Sequence, residues 1–411
     1  MIAPQRGVAP QLEAALRPFV GGDLPVRLKA WDDSAAGPVD APLVVLTSPA
    51  AVRRLLRHPG ELGAAQAYVT GELDVPGDLD HALTHAFAVA RARGLTGGRP
   101  SVPALLRAVR TLRGIGAFGR PPAAPTSQAR IRGRLHSPLR DRRAISFHYD
   151  LSNEFYELVL DPSLAYSCGF HSSPDVPVEE AQLAKLDLVC DKLDLRPGMT
   201  LLDVGCGWGS LSLHAAERFG ARVTGVTIAA EQKRLIDQRI RERGLEELVS
   251  IQLRDYRDVV GRFDAVASIE MGEHVGQDKY ATYAEVLHRS VRPGGRVLVQ
   301  QMSRSGRWPG GGPFIENFIA PDMYMRPVGE TIAFFERAGL ELRDVQALRE
   351  HYVLTVAGWL ASLRRNRDRL VALVGEEVVR VWELYLVGGS MAFRDGRMGV
   401  DQLLMVRNGG I

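Results

Sequence analysis

The chain has 411 residues, a formal net charge of +3, and 45% hydrophobic and 24% charged residues. That size buries one large core or two ordinary ones, and that balance is globular rather than disordered or fibrous. Cys168, Cys190 and Cys206 are too few and too scattered for a disulfide framework or a zinc site, so a reduced, cytoplasmic protein with no metal is expected. The first twenty residues lack the basic start, apolar stretch and cleavage site of a signal peptide, and no apolar run approaches the roughly 18 residues of a membrane span.

Residues 1–115 read as a smaller, mainly helical N-terminal domain, because VVLTSPAAVRRLLRHP and LDHALTHAFAVARARGL carry helical apolar spacing. Residues 116–143 are rich in proline, glycine and arginine and read as a linker. Arg130, Arg132, Arg134, Arg140, Arg142 and Arg143 face only Asp141 there, so the stretch is either a solvated connection or a basic surface for anionic lipid headgroups. Residues 144–411 read as the catalytic domain. In it, EEAQLAKLDLVCDKLDL, LSLHAAERFG, EQKRLIDQRIRERG and YATYAEVLHRSV are helical, and TLLDVG, RVTGVTI, VSIQLRD, FDAVASIE and GRVLVQQM are strand-like. Such alternation predicts an α/β fold with a doubly wound parallel sheet.

The first strand-to-helix turn carries Asp203 and then Gly205, Gly207 and Gly209, where ligands of such sheets bind. The spacing is Gly-x-Gly-x-Gly, not the Gly-x-Gly-x-x-Gly of a dinucleotide site. The second strand closes on Thr227 without the acidic residue a nicotinamide enzyme wants, so Gln232 is the candidate for the ribose. Asp255 and Tyr256, after the third strand, stand where an adenine amine and ring face would be met.

LLDVGCGWG, GVTIAAEQ, RDYRDV, EHVG and VRPGG, with HYDLSNEFYELVLDPSLAYSCGF upstream, resemble the cyclopropane-fatty-acid synthase family. The resemblance covers about residues 140–411, and more weakly the N-terminal region. It implies a Rossmann-like class I methyltransferase sheet, S-adenosylmethionine as cofactor, and Tyr166, Ser167 and Gly205 around its methionine part. The family's synthases hold a bicarbonate as base. By the resemblance, Cys168, Glu273 and Tyr352 keep three of its ligand positions, whereas the His position is Gln300 and the Ile position Met302. The usual Gly-Met-Phe-Glu-His-Val reads Glu270-Met271-Gly272-Glu273-His274-Val275. A carboxylate at Glu270 would take the place and charge of the bicarbonate, with Gly272 making room for it.

Changing the base changes the expected product. Methylation of an alkene leaves a cation on the adjacent carbon. Proton loss from the new methyl with ring closure gives a cyclopropane; a prior hydride shift gives an exocyclic methylene. The expectation is therefore a 10-methylene branch on an oleoyl-type phospholipid chain, as in the 10-methylstearate pathway of actinobacteria. The alternative is a cyclopropane synthase on the same substrate; a small-molecule methyltransferase and a non-enzymatic lipid-binding protein rank behind. Expected partners are an unsaturated phospholipid, a peripheral membrane surface, a reductase acting on the methylene product and a second copy of the chain, with no nucleic acid.

Overall fold

The computed structural model describes residues 7–94, 102–120, 122–129, 140, 152–306 and 309–409. Most of the arginine-rich stretch 130–143 lies outside them, as do residues 148–150 of the HYD signature. The chain divides into two compact units, one of residues 1–128 with 375–391, the other of residues 129–374 with 392–411.

The first unit contains α1 (Val8–Leu16), β1 (Arg27–Lys29), β2 (Ala35–Ala36), β3 (Leu43–Leu46), α2 (Pro49–Arg57), α3 (Glu61–Val69), β4 (Leu73–Asp74), α4 (Leu79–Ala92) and α5 (Val102–Gly114). Helices dominate, but around a four-stranded sheet of order β2-β1-β3-β4. VVLTSPAAVRRLLRHP is thus two elements: its start pairs as strand β3, and the helix begins only after Ser48, whose side chain caps the Ala50 N–H at 3.2 Å ahead of Pro49. Residues 116–120 and 122–129 form neither helix nor strand. Residues 376–391 belong here because Arg380 donates to the Tyr68 and Leu73 carbonyls at 2.6 and 3.0 Å and to Asp74 at 2.9 Å.

The second unit contains α6 (Asn153–Val159), α7 (Val178–Lys192), β5 (Thr200–Val204), α8 (Ser210–Phe219), β6 (Arg222–Thr227), α9 (Ala230–Glu242), β7 (Val249–Leu253), β8 (Phe263–Ile269), α10 (Tyr280–Ser290), β9 (Val291–Ser303), α11 (Pro313–Phe318), α12 (Val328–Arg337), β10 (Leu340–Ala347), α13 (Arg349–Arg365), α14 (Arg367–Val374), the end of α15 (Glu376–Arg394) and β11 (Gly399–Arg407). The sheet order is β10-β11-β9-β8-β5-β6-β7. Strands β5 to β9 run parallel, as the alternation predicts. Beyond β9 the sheet departs from the parallel expectation: β11 inserts between β9 and β10, antiparallel to both. Apolar residues cover both faces, Leu201, Leu211, Ile236 and Leu298 in one layer, Leu202, Tyr280, Val297 and Phe335 in the other. That two-sided burial is why the central strands read as continuous apolar runs. Among the described residues no helix is long and apolar enough to cross a membrane, and no His, Cys, Asp and Glu group could hold a metal.

Candidate active site

A cleft opens at the carboxyl ends of β5, β6, β7 and β8, where a sheet of this kind binds ligands. Gly205, Gly207, Thr227, Gln232, Asp255, Tyr256, Glu270, Met271 and His274 are among the residues lining it. The glycines have different work. Gly207 has φ +54° and open space where a Cβ would stand, so its backbone is free for close approach by a ligand. A Cβ on Gly209 would instead meet Ile236 at 2.9 Å, so that residue lets α8 and α9 pack and is not on the cleft wall. Asp203 also points inward: it is 2% exposed and accepts from Ser212 at 2.7 Å. The Thr227 hydroxyl donates to Gln232 Oε1 at 2.8 Å, leaving the Gln232 amide oriented at the cleft. Asp255 accepts from the Arg257 backbone N–H at 3.0 Å and from its guanidinium at 2.7 and 2.6 Å.

A second segment, 161–168, brings Tyr166, Ser167 and Cys168 to the site. Asp161 accepts from the backbone N–H groups of Ser163 and Ala165 at 2.8 and 3.2 Å and folds the turn, with Leu164 at φ +57°. Arg239 donates to the carbonyls of Pro162, Ser163 and Trp208 at 2.9, 3.2 and 3.3 Å, tying this turn to the glycine loop. Two residues of α7, neither marked by the sequence reading, fix Ser167: Gln182 donates to its carbonyl at 2.6 Å and Lys185 to its hydroxyl at 2.8 Å. Lys185 is only 1% exposed. Burial pulls its ammonium below the ordinary lysine range, while the carboxylates of Glu270 and Asp161 push it back up. The Tyr166 ring lies among Trp359, Tyr156 and Trp208, with centroids 5.3, 6.1 and 6.5 Å away.

Glu270 joins the two segments. Its Oε1 accepts from the Cys168 backbone N–H at 2.7 Å and from the Gln300 amide at 2.8 Å; its Oε2 accepts from the Tyr352 hydroxyl at 2.6 Å. Gln300 is itself oriented from β11, since Gln402 donates to its Oε1 at 2.9 Å. Cys168, Gln300 and Tyr352 therefore converge on this one carboxylate. Burial raises the Glu270 carboxyl above the usual carboxylate range, and the Tyr352, Cys168 and Gln300 hydrogen bonds and the Lys185 charge offset only part of that rise. Cys168 stays a thiol, because burial and Glu270 both raise it well above the ordinary value. Glu270 has φ +50°, a left-handed backbone that costs an L-residue about 1–2 kcal/mol. The glycine usual at this position in the resembling family would pay nothing for it. The Glu270 carboxylate thus stands at a strained backbone position and is held by three donors.

Glu273 differs. It is fully buried, and neither oxygen completes a hydrogen bond with a described residue. Burial and the Glu270 charge both raise its carboxyl. The nearest neighbours of Gly272 are Gln301 and Tyr280. A Cβ there would stand 2.1 Å from Gln301 Oε1, which accepts from the Tyr280 hydroxyl at 2.5 Å; the space freed is taken by that pair. Met302 is 9% exposed on β9 and Phe393 stacks on Tyr352 with centroids 4.5 Å apart.

The profile of the mycolic acid cyclopropane synthetase family matches residues 136–403. A probable fatty acid methyltransferase of Pseudomonas putida is 35% identical over 395 residues, 93% of this chain and 92% of that protein. The tuberculostearic acid methyltransferase of Mycobacterium tuberculosis is 33% identical over 408 residues, 94% of this chain and 88% of that one. A crystal structure of a mycolic acid cyclopropane synthase complexed with S-adenosylhomocysteine superposes with a TM-score of 0.61 at 31% identity, covering 64% of this chain and 98% of that one. The parallel sheet with its antiparallel β11, the glycine-lined cleft and these likenesses agree: the chain belongs to the mycolic acid cyclopropane synthetase family and is a class I S-adenosylmethionine-dependent methyltransferase.

Proposed function

We propose that this enzyme methylates the double bond of an unsaturated phospholipid acyl chain and releases a 10-methylene branch, with Glu270 as the base. Relatives named fatty acid and tuberculostearic acid methyltransferases support an acyl-chain substrate. The observation that carries the product is the strained Glu270 carboxylate, bonded to Cys168, Gln300 and Tyr352.

The cleft fits the cofactor, since Gly207 leaves a wall that any Cβ would fill, with Thr227, Gln232, Asp255 and Tyr256 around it. Tyr166, Ser167 and Gly205 are the residues for its methionine part. When bound it supplies an electrophilic methyl. The alkene π pair at C10 would form the bond to that methyl as its bond to sulfur breaks, releasing S-adenosylhomocysteine and leaving the positive charge on C9. A hydride then moves from C10 to C9, so that the charge sits on C10. Glu270 takes a proton from the new methyl, whose C–H electron pair becomes the second bond of the methylene. Its negative charge also stabilises the cations before that step. The Tyr352, Cys168 and Gln300 donors hold the carboxylate at a single position, which selects the proton removed. The product is a neutral alkene, and a reductase delivering a hydride and a proton would convert it to a methyl branch. The enzyme works at a membrane surface, and the arginines of 130–143 are proposed to add attraction for anionic lipid. Arg140 is paired with Asp322 at 2.5 and 2.9 Å, so the remaining arginines carry that role.

The test is lipid analysis of cells expressing the protein and supplied with oleate, using chemical derivatisation, because methylene and cyclopropane products share a mass. A methylene chain, absent with Glu270→Gln, supports the reading. A cyclopropane product dependent on bicarbonate would transfer the assignment to an ordinary synthase using Cys168, Glu273 and Tyr352 as anion ligands.

A further inference from the structure

Helix α5 turns Ala108 and Leu112 toward the small core of the first unit. The rest of its surface is unusual for a water-facing helix. Leu105, Leu106 and Val109 are 49%, 65% and 42% exposed. Successive residues of a helix are about 100° apart, so these three cover roughly a quarter of its circumference. Arg107, Arg110 and Arg113 are exposed beside them, and the chain continues to Phe118, 49% exposed, and exposed Arg120. No acidic residue occurs from Ser101 to Arg120. Arg110, Arg113 and Arg120 form no ion pair with a described residue.

Clustered exposed aliphatic residues indicate a surface that something covers. The arginines identify the cover. A second copy meeting this face by two-fold symmetry would set Arg110 and Arg113 against the same cations of its partner. An anionic phospholipid layer satisfies both features: guanidinium groups pair with phosphate oxygens at the headgroup level, and aliphatic side chains enter the acyl boundary below. We propose that α5, with Phe118 and Arg120 after it, is the surface by which the protein docks on an anionic bilayer. The proposal rests on the reading that the substrate is a membrane phospholipid, and it places the apolar anchor in α5 rather than in the stretch 130–143.

The full chain is floated with vesicles of phosphatidylglycerol and phosphatidylcholine, and with phosphatidylcholine alone. Leu105→Gln with Leu106→Gln should weaken binding to the anionic vesicles by at least about tenfold. Arg110→Gln with Arg113→Gln should weaken it and flatten its salt dependence. Both pairs should leave turnover of detergent-dispersed lipid unchanged. Wild-type binding by the leucine variant, or its conversion from dimer to monomer in sedimentation, would overturn the proposal. Loss of vesicle binding only on changing Arg132, Arg134, Arg142 and Arg143 to glutamine would overturn it too. Vesicle binding through α5 by a wild type that methylates no lipid would instead defeat the substrate reading and leave the docking surface standing.

Discussion

Glu270 combines a strained backbone with the carboxylate proposed as the base. Its φ of +50° suits glycine, and the residue lines the cleft. Glu270→Gln keeps the shape and removes the base, so turnover should fall roughly 10²- to 10⁴-fold, with S-adenosylmethionine affinity by calorimetry little changed. The pH profile follows from the ionisation needed. If Glu270 is the base it works as carboxylate, so activity should fall on the acid side as it takes up a proton. Lys185 holds the Glu270 carboxyl down, so Lys185→Met should raise it and move the acid limb of kcat to higher pH, with Lys185→Arg restoring much of the shift. An unmoved limb with uniformly lower activity would reduce Lys185 to a support for Ser167. The departure at Glu270 was legible in the sequence because a glycine position carried an acid. The neighbours of Gly272 were not, since Gln301 and Tyr280 are brought there only by the fold. Lys185 also escaped, because a lysine on a helix defaults to the surface. The available signal was its place in one apolar stripe with Ala181, Leu186 and Val189, all buried.

At the scale of elements, the loop glycines predict separable failures. Gly207→Val should abolish S-adenosylmethionine binding by filling the cleft wall while the fold survives. Gly209→Ala should lower the melting temperature, because its Cβ would press on Ile236 at 2.9 Å. Calorimetry and thermal unfolding on both variants check the pair; equal losses of affinity would mean that both glycines face the ligand. Helices α7 to α10 and strands β5 to β9 were readable because two-sided burial and glycine or proline punctuation announce them. The sheet of the first unit was not, since strands of two to four residues are too short to show a period. β11 was missed for another reason: Gly399–Arg407 is buried on both faces near its middle and shows no alternation.

For the whole molecule, the proposal that Glu270 is the base implies that no added anion is needed. Rates in carbonate-stripped buffer should equal those with bicarbonate restored; a severalfold stimulation would return the base to a bound ion. The insertion of β11 between β9 and β10 has a consequence for how the chain is made. Among the described residues β10 pairs in the sheet with β11 alone, and Gln300 takes its orientation from Gln402. A growing chain that has reached Ala347 therefore has β9 as an open edge and cannot cover it until Arg407 has emerged. At about 5–20 residues per second that gap lasts several seconds. An open, apolar strand edge is the part of a sheet most ready to pair with another chain. Ribosomes spaced closely on one message would present several such edges together, so translation speed between codons 348 and 407 should set how much of this protein reaches the folded state and how much is lost to aggregates.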